Sequence, residues 1–299
     1  MINYSIIIPH KNTSELLRRC LSSIPRRDDV EIIIVDNNSD KQNGEFGDVI
    51  RNDKKNIVIA HDNTSIGGGG ARNTGLKMAK GEWILFADAD DYYSDGFLDV
   101  LDYYVTQDID VLYFGFKMIK KGNEIDYPYS LRFLKNFQTG EKYIESLKYR
   151  IHAPWNKMMK RQFLLEHNCF FEDRPRGNDT LFSLRVAYAS KKVMAEPRCL
   201  YMYTIHANSV SHKKLPSKSA YYDLFQQNIQ VNEVLKHVGH PEWTRLALSR
   251  MVSTFLSRDI YAFVRSLSVY VCDYKKLRKN RFYYVNVIKN KDVKDELQE

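Results

Sequence analysis

The sequence predicts an α/β fold built on a mostly parallel sheet flanked by helices. Three observations predict it: near-continuous β-branched runs recur through the first 116 residues, helical segments separate them, and successive strand ends carry polar or glycine-rich clusters. Strands buried on both faces read as unbroken apolar runs and belong to parallel sheets covered by helices.

The elements follow in order. "YSIII" (4–8) predicts the first strand, and a helix is expected from about Ser14 to Ser23. "VEIIIV" (30–35) and "NIVIAH" (56–61) predict the next two strands, followed by a helix through Ala71 to Ala79 and the strand "EWILFA" (82–87). A helix from Gly96 to about Gln107 and the strand "VLYFGF" (111–116) extend the pattern, and "KKGN" reads as a hairpin turn. The chain then becomes less regular and aromatic, with a helix expected at 179–189 and a strand at "CLYMYTI" (199–205). From about Ala220 it reads as helical, then basic and aromatic, so the expected division is 1–212 and 213–299.

A chain of 299 residues can bury one large core, or an α/β domain with a smaller appendage. Its 43% hydrophobic and 27% charged residues suit a folded soluble protein, and no apolar run approaches the roughly 18 residues of a membrane span. Met1 is followed almost at once by "YSIIIP", which predicts no signal peptide and hence a cytoplasmic location. Cys20, Cys169, Cys199 and Cys272 lie far apart, without zinc spacing, and are expected as reduced thiols. The net charge of +8 is concentrated late: residues 213–299 hold 16 Lys or Arg against 9 Asp or Glu. That region could face nucleic acid, an acidic glycan or anionic lipid, or be a solvated helical face.

Ligands of open α/β sheets bind beyond the carboxyl ends of the strands. There the sequence places Pro9, His10 and Asn12, then "DNNSD" from Asp36, then "NTSIGGGGARNTG", then "DADD" (88–91). In an extended segment Asp88 and Asp90 share a side and could reach a hard divalent cation, Mg²⁺ or Mn²⁺, while Asp91 could cap the next helix. "GGGGARNTG" (67–75) fails the dinucleotide fingerprint, since Arg72 and Asn73 stand where glycine is needed, and no GK[ST] follows. It predicts a close-approach loop entering a helix, with Arg72 offering a fork to a carboxylate or phosphate. Asp36 could accept from a base or ribose, or form an Asx-turn with Asn37 and Asn38. Trp155 offers a face for a sugar ring, or a core side chain.

Together "SIIIPHKN", "IIIVDNNSD", "GGGGARNTGLKMAKGEWILFADADDYY", "APWNKMMKRQFL", "GNDTLFSLRVA" and "YMYTIHANSVS" resemble, in order and spacing, the family 2 glycosyltransferases, over roughly residues 3–212. The resemblance implies the GT-A fold, Rossmann-like, with a helical C-terminal extension, and a metal-dependent inverting transfer from a nucleotide sugar. It implies that Pro9 and Asp36 hold base and ribose, that Arg72 lies beside the nucleotide, and that Asp88 and Asp90 bind the metal bridging the diphosphate. Asp179 would match the catalytic base, with Asn178 where the family commonly has glutamate, and His206 a polar position near metal or diphosphate. Read physically, Asp179 could equally cap its helix, and His206 could be an ordinary hydrogen-bonded histidine. The expected donor is a UDP-sugar and the acceptor a hydroxyl of a glycan or lipid-linked saccharide. Peripheral membrane contact through the basic end is expected, and nucleic acid is not. Two alternatives were a sugar-phosphate nucleotidyltransferase, which would need a basic glycine-rich loop that "PHKNTSELL" does not supply, and a non-catalytic glycan- or nucleic-acid-binding module.

Overall fold

The computed structural model describes residues 1–40, 56–125, 140–205 and 218–243, together with Val264 and Leu267. Nine strands of these residues form one sheet: β1 (Tyr4–His10), β2 (Val30–Asp36), β3 (Ile57–His61), β4 (Trp83–Phe86), β5 (Tyr92–Tyr93), β6 (Val111–Lys120), β7 (Asn123–Ile125), β8 (Lys157–Lys160) and β9 (Val193–Ile205). Their order is β3-β2-β1-β4-β8-β6-β9-β5, with β7 on β6. The helices are α1 (Ser14–Ser22), α2 (Gly68–Met78), α3 (Phe97–Asp102), α4 (Gly140–Arg150), α5 (Arg161–Glu166), α6 (Asn178–Ala189) and α7 (Lys218–His237).

β3, β2, β1 and β4 pair in parallel, and their apolar runs form the core: Ile6, Ile7, Ile8, Ile33, Ile34, Leu85 and Phe86 are all essentially inaccessible. The register is functional in its consequence. His10 pairs with Asp36 and Asp36 with His61, so three strands deliver polar side chains to one level. Ile7 pairs with Phe86, which brings the segment after β4 to the same edge.

Beyond β4 the sheet departs from expectation. β8 inserts antiparallel between β4 and β6, and its four residues, "KMMK", carry no alternation and run directly into α5, so local pattern could not separate them from a helix. The turn read at "KKGN" does join β6 to β7 as an antiparallel hairpin, with Lys121 and Gly122 at positive φ. The helix expected at 96–107 stops at Asp102, before the β-branched Val105 and Thr106.

A second, smaller core lies under α7, where Val231, Val234 and Leu235 pack with Leu181, Leu184 and Ala187 of α6 and Tyr149 of α4. The boundary expected near residue 212 therefore falls between elements in contact. Cys20 and Cys169 are buried and Cys199 half-buried, all as free thiols, while Cys272 lies outside the described residues. No helix of the described residues is long and apolar enough to cross a membrane.

Candidate active site

The glycine-rich segment owes its composition to packing. A Cβ at Gly69 would lie 2.3 Å from the Glu172 carbonyl oxygen, one at Gly67 2.5 Å from that of Arg174, and one at Gly75 2.4 Å from Ile7 Cγ2. Gly68, Gly69, Gly70 and Gly75 lie inside α2, which begins at Gly68, so the loop is shorter than expected and the helix longer. Asp62 shapes its entry: its carboxylate accepts from Thr64 N (3.2 Å), Ser65 N (3.0 Å), Ser65 Oγ (2.6 Å) and Thr74 Oγ1 (3.0 Å). Burial opposes ionisation of Asp62, yet those donors outweigh it and hold the carboxyl below the usual range. Asp62 was legible as an Asx-turn in "HDNTS" and was missed.

From α2, buried Arg72 reaches two elements at once. Nη2 donates to Asp88 Oδ1, and Nη1 donates to Asn178 Oδ1 at 3.3 Å, with the guanidinium 5.4 Å from the Phe171 ring centroid. Asn178, an uncharged acceptor where the resemblance anticipated a carboxylate, thus receives the arginine that also ties down Asp88. Arg72 Nε is buried and has no hydrogen-bond partner among the described residues.

Asp88, Asp90 and Asp91 each offer an oxygen within 4.8 Å of the others. Their environments differ. Asp91 is fully buried, and its oxygens accept from Thr204 N (2.6 Å) and Tyr201 Oη (2.9 Å). Burial, with the charges of Asp90 and Asp88, pushes the Asp91 carboxyl well above the ordinary range. The helix-capping role anticipated for Asp91 is therefore replaced by a latch onto β9, because the α3 cap is Gly96 at φ 69°. The Tyr201 hydroxyl also accepts from Asp88 N at 2.9 Å, and Arg19 Nη2 donates to Asp90 O (2.5 Å) and Thr204 Oγ1 (2.9 Å).

Trp155 sits behind this latch. It is 8% exposed, stacked on Tyr201 (4.7 Å, 10°) and Tyr203 (5.5 Å, 24°), with Phe116 edge-on at 4.8 Å. The sugar-stacking role expected for Trp155 is corrected here: its ring is committed to the core that supports Tyr201.

Asp36 sits at the other end of the edge, also buried. Thr13 N donates to His10 Nε2 (3.2 Å), which leaves the proton on Nδ1, from which His10 donates to Asp36 Oδ1 (3.3 Å). Ser39 donates to Asp36 through Oγ (2.5 Å) and N (3.3 Å), and His61 Nδ1 lies 3.6 Å away. The turn thus closes on Ser39, whereas Asn37 bonds the carbonyls of Asp62 and Ser65. Burial disfavours both charges. It pulls the His10 pKa down against the pull of Asp36, while the Ser39 and His10 hydrogen bonds reverse its effect on Asp36 and lower that carboxyl. Pro9, paired with Val35, is half-buried, and His206 lies outside the described residues.

Asp179 occupies the first turn of α6, after Gly177 at φ 69°. The cap position itself is Gly177, so Asp179 lies inside the helix, where its carboxylate accepts from its own backbone N–H. Burial raises its pKa against the nearby positive charges of Arg72 and Lys157, and Asp88 adds to the rise. Lys157 lies in the segment "APWNKMMKRQFL", where the sequence assigns it no role of its own. It is fully buried, donates to the carbonyl oxygens of Ile151 (3.1 Å) and Ala153, and is brought down to about 7 by burial against the charge of Asp179.

Comparison with known proteins places the chain in a family. The model for "Glycosyl transferase family 2" matches residues 5–167. The Bacillus subtilis (strain 168) protein described as "Uncharacterized glycosyltransferase EpsJ" is 28% identical over 236 residues, covering 76% of this chain and 67% of that relative. Poly(ribitol-phosphate) beta-N-acetylglucosaminyltransferase TarP of Staphylococcus aureus (strain N315) is 26% identical over 249 residues, 80% of this chain and 72% of TarP. Among solved structures, S. aureus TarS 1-349 in complex with UDP-GlcNAc superposes with a TM-score of 0.68 at 19% identity, covering 97% of this chain and 89% of that one. The fold is that of the GT-A glycosyltransferases, and with more than half of its length matched by the family model the chain belongs to glycosyl transferase family 2.

Proposed function

We propose that the chain is an inverting, metal-dependent glycosyltransferase that moves a sugar from a UDP-sugar to a hydroxyl of a glycan or lipid-linked saccharide. The observation that carries this reading is the Asp88–Arg72–Asn178 bridge, which joins the acidic loop after β4 to the turn that bears Asp179. Donor phosphates and acceptor proton would then be handled within one cluster.

The residues fit a divalent cation. All donors are hard oxygens, three carboxylates share one small volume, and Asp91 already spends both oxygens on β9, which leaves Asp88 and Asp90 as the ligands. When bound, a cation there would neutralise the charge of the leaving diphosphate. Asp36 and Pro9 are assigned to the nucleoside side of the donor, and Arg72 to its phosphates. His206 is retained as a polar contributor from the segment after β9.

The chemistry is a single displacement. The acceptor oxygen bonds to the anomeric carbon as its proton passes to the Asp179 carboxylate, and the bond from that carbon to the diphosphate oxygen breaks with its electrons staying on the diphosphate. A carboxyl raised by burial is a stronger base than one in water, and the positive charges of Arg72 and Lys157 oppose that rise and favour its ionised form. The relatives named for poly(ribitol-phosphate) and the TarS complex with UDP-GlcNAc support a UDP-sugar donor and a cell-surface glycan acceptor. A panel of nucleotide sugars, each with and without Mn²⁺, tests the reading by thermal stabilisation. A UDP-sugar should stabilise the protein in a metal-dependent manner; stabilisation by no nucleotide sugar, or by all equally without metal, would refute it.

A further inference from the structure

The loop that carries the proposed base is gripped from two sides. On one side lies the α2 entrance: Asp173 Oδ1 accepts from Ile66 N (2.9 Å) and Gly67 N (3.3 Å), and the carbonyls of Glu172 and Arg174 rest where the Cβ atoms of Gly69 and Gly67 would be. On the other side lies Gln227 of α7, a buried side chain from beyond the family-model match. Its Nε2 donates to Gly177 O at 2.6 Å and to Glu172 Oε2 at 3.3 Å. Both partners are acceptors, so the amide can satisfy them only with its nitrogen toward the loop. Gly177 O also accepts from Thr180 N at 3.3 Å, the first turn of the helix that holds Asp179.

The close fit is mutual. A Cβ at Gly177 would lie 2.4 Å from Gln227 Oε1, and Gly177 sits at φ 69°, where only glycine is unstrained. Glu172, raised by burial against the charges of Arg174 and Arg185, takes a hydrogen bond from Gln227 in return. The side chain therefore reads both ends of the 172–177 turn.

We infer that Gln227 is a positioning residue for the reaction: through Gly177 and Glu172, α7 fixes the first turn of α6 and with it the placement of Asp179, so the C-terminal region completes the active site. The inference rests on Asp179 being the base. Q227M keeps the volume and removes both donors, and Q227N keeps the amide but shortens its reach, as a milder variant should Q227M fold poorly. Amide hydrogen exchange in the substrate-free protein should quicken roughly tenfold at residues 177–180 while β1, β2 and β4 keep their protection. For UDP release from UDP-GlcNAc in Mn²⁺, kcat should fall roughly tenfold or more with KM nearly unchanged, since a misplacement of about 1 Å can cost on the order of 10²-fold. Added to D179N, the substitution should cost nothing further in kcat.

Unchanged exchange at 177–180, or a loss of protection spread over the sheet, would overturn the inference. So would a kcat that falls in step with donor affinity. If D179N is inactive while Q227M and Q227N turn over normally, the inference fails and the base assignment stands; if D179N turns over normally, the base assignment has failed and Gln227 has nothing to position.

Discussion

At the scale of single residues, the two carboxylate roles make opposite predictions. Asp90→Ala removes a cation ligand, so nucleotide-sugar affinity in Mn²⁺ should weaken and lose its sensitivity to EDTA, as read by calorimetry. Asp179→Asn keeps the shape but not the proton acceptor, and should leave donor affinity nearly unchanged while lowering kcat by about 10² to 10⁴. The pH dependence has a definite sign. Burial places the Asp179 carboxyl above the ordinary carboxylate range, and only its ionised form accepts a proton, so the acid limb of kcat should lie above about pH 4 and activity should fall below it. An acid limb at the pH of a free carboxylate would show that another group is the base. Asp88 and Asp90 could be picked from the sequence because they follow an apolar run directly, and Arg72 because it follows a glycine run, whereas Asp179 is singled out through the family resemblance. Lys157, Tyr201 and Gln227 could not, because each acts only through partners more than ten positions away or through its burial: Tyr201 on Asp91, Gln227 on Gly177, Lys157 on the charge of Asp179. Trp155 shows the reverse error, since an aromatic beside a motif carries no mark of which side it faces.

At the scale of elements, the helix entrance at 67–70 is a packing device, and this can be separated from phosphate-loop flexibility by two neighbouring substitutions. Gly68→Ala places its Cβ in ordinary contact with Arg72 Nη1, at 3.4 Å. It should be neutral or gain up to about 1 kcal/mol, the helix preference of Ala over Gly. Gly69→Ala would gain the same preference but drives its Cβ to 2.3 Å from a backbone oxygen and 2.7 Å from Asn178 Cβ. Overpacking costs about 1–3 kcal/mol, which exceeds the helix gain and displaces the turn before Asp179. Thermal melts should show Gly69→Ala lowered by several degrees and Gly68→Ala unchanged or raised. Equal behaviour of the two would mean that the glycines serve the ligand rather than the fold. Local reading has a limit: β1, β2 and β4 fell close to their predicted bounds because burial on both faces leaves an unbroken apolar run. β8 and β5, of four and two residues, exist only through pairing with β4, β6 and β9, and no local pattern encodes that.

At the scale of the whole molecule, charge separates the chain into two halves that the fold joins. Residues 1–212 are near neutral, with 29 Lys or Arg against 28 Asp or Glu, while the remaining 87 carry most of the positive charge, with "YKKLRKNRFYY" interleaving bases and aromatics. That segment lies outside the described residues, so the prediction rests on sequence. The hypothesis is that it rests on anionic lipid near a lipid-linked acceptor, because basic residues close to such a surface contribute about 1 kcal/mol each and aromatic rings settle at the headgroup level. Attraction of this kind is screened within a Debye length of about 10 Å at 0.1 M salt and about 3 Å at 1 M. Sedimentation with phosphatidylglycerol vesicles should therefore fall steeply between those salt concentrations, and binding to phosphatidylcholine vesicles should be weak throughout. Replacing Lys275, Lys276, Arg278, Lys279 and Arg281 by glutamine should abolish the anionic preference while leaving donor affinity and the melting temperature as they were, because the donor side is assigned to residues 9–90. Equal binding to both vesicle types, or a salt-independent signal, would assign the charge to a solvated surface instead.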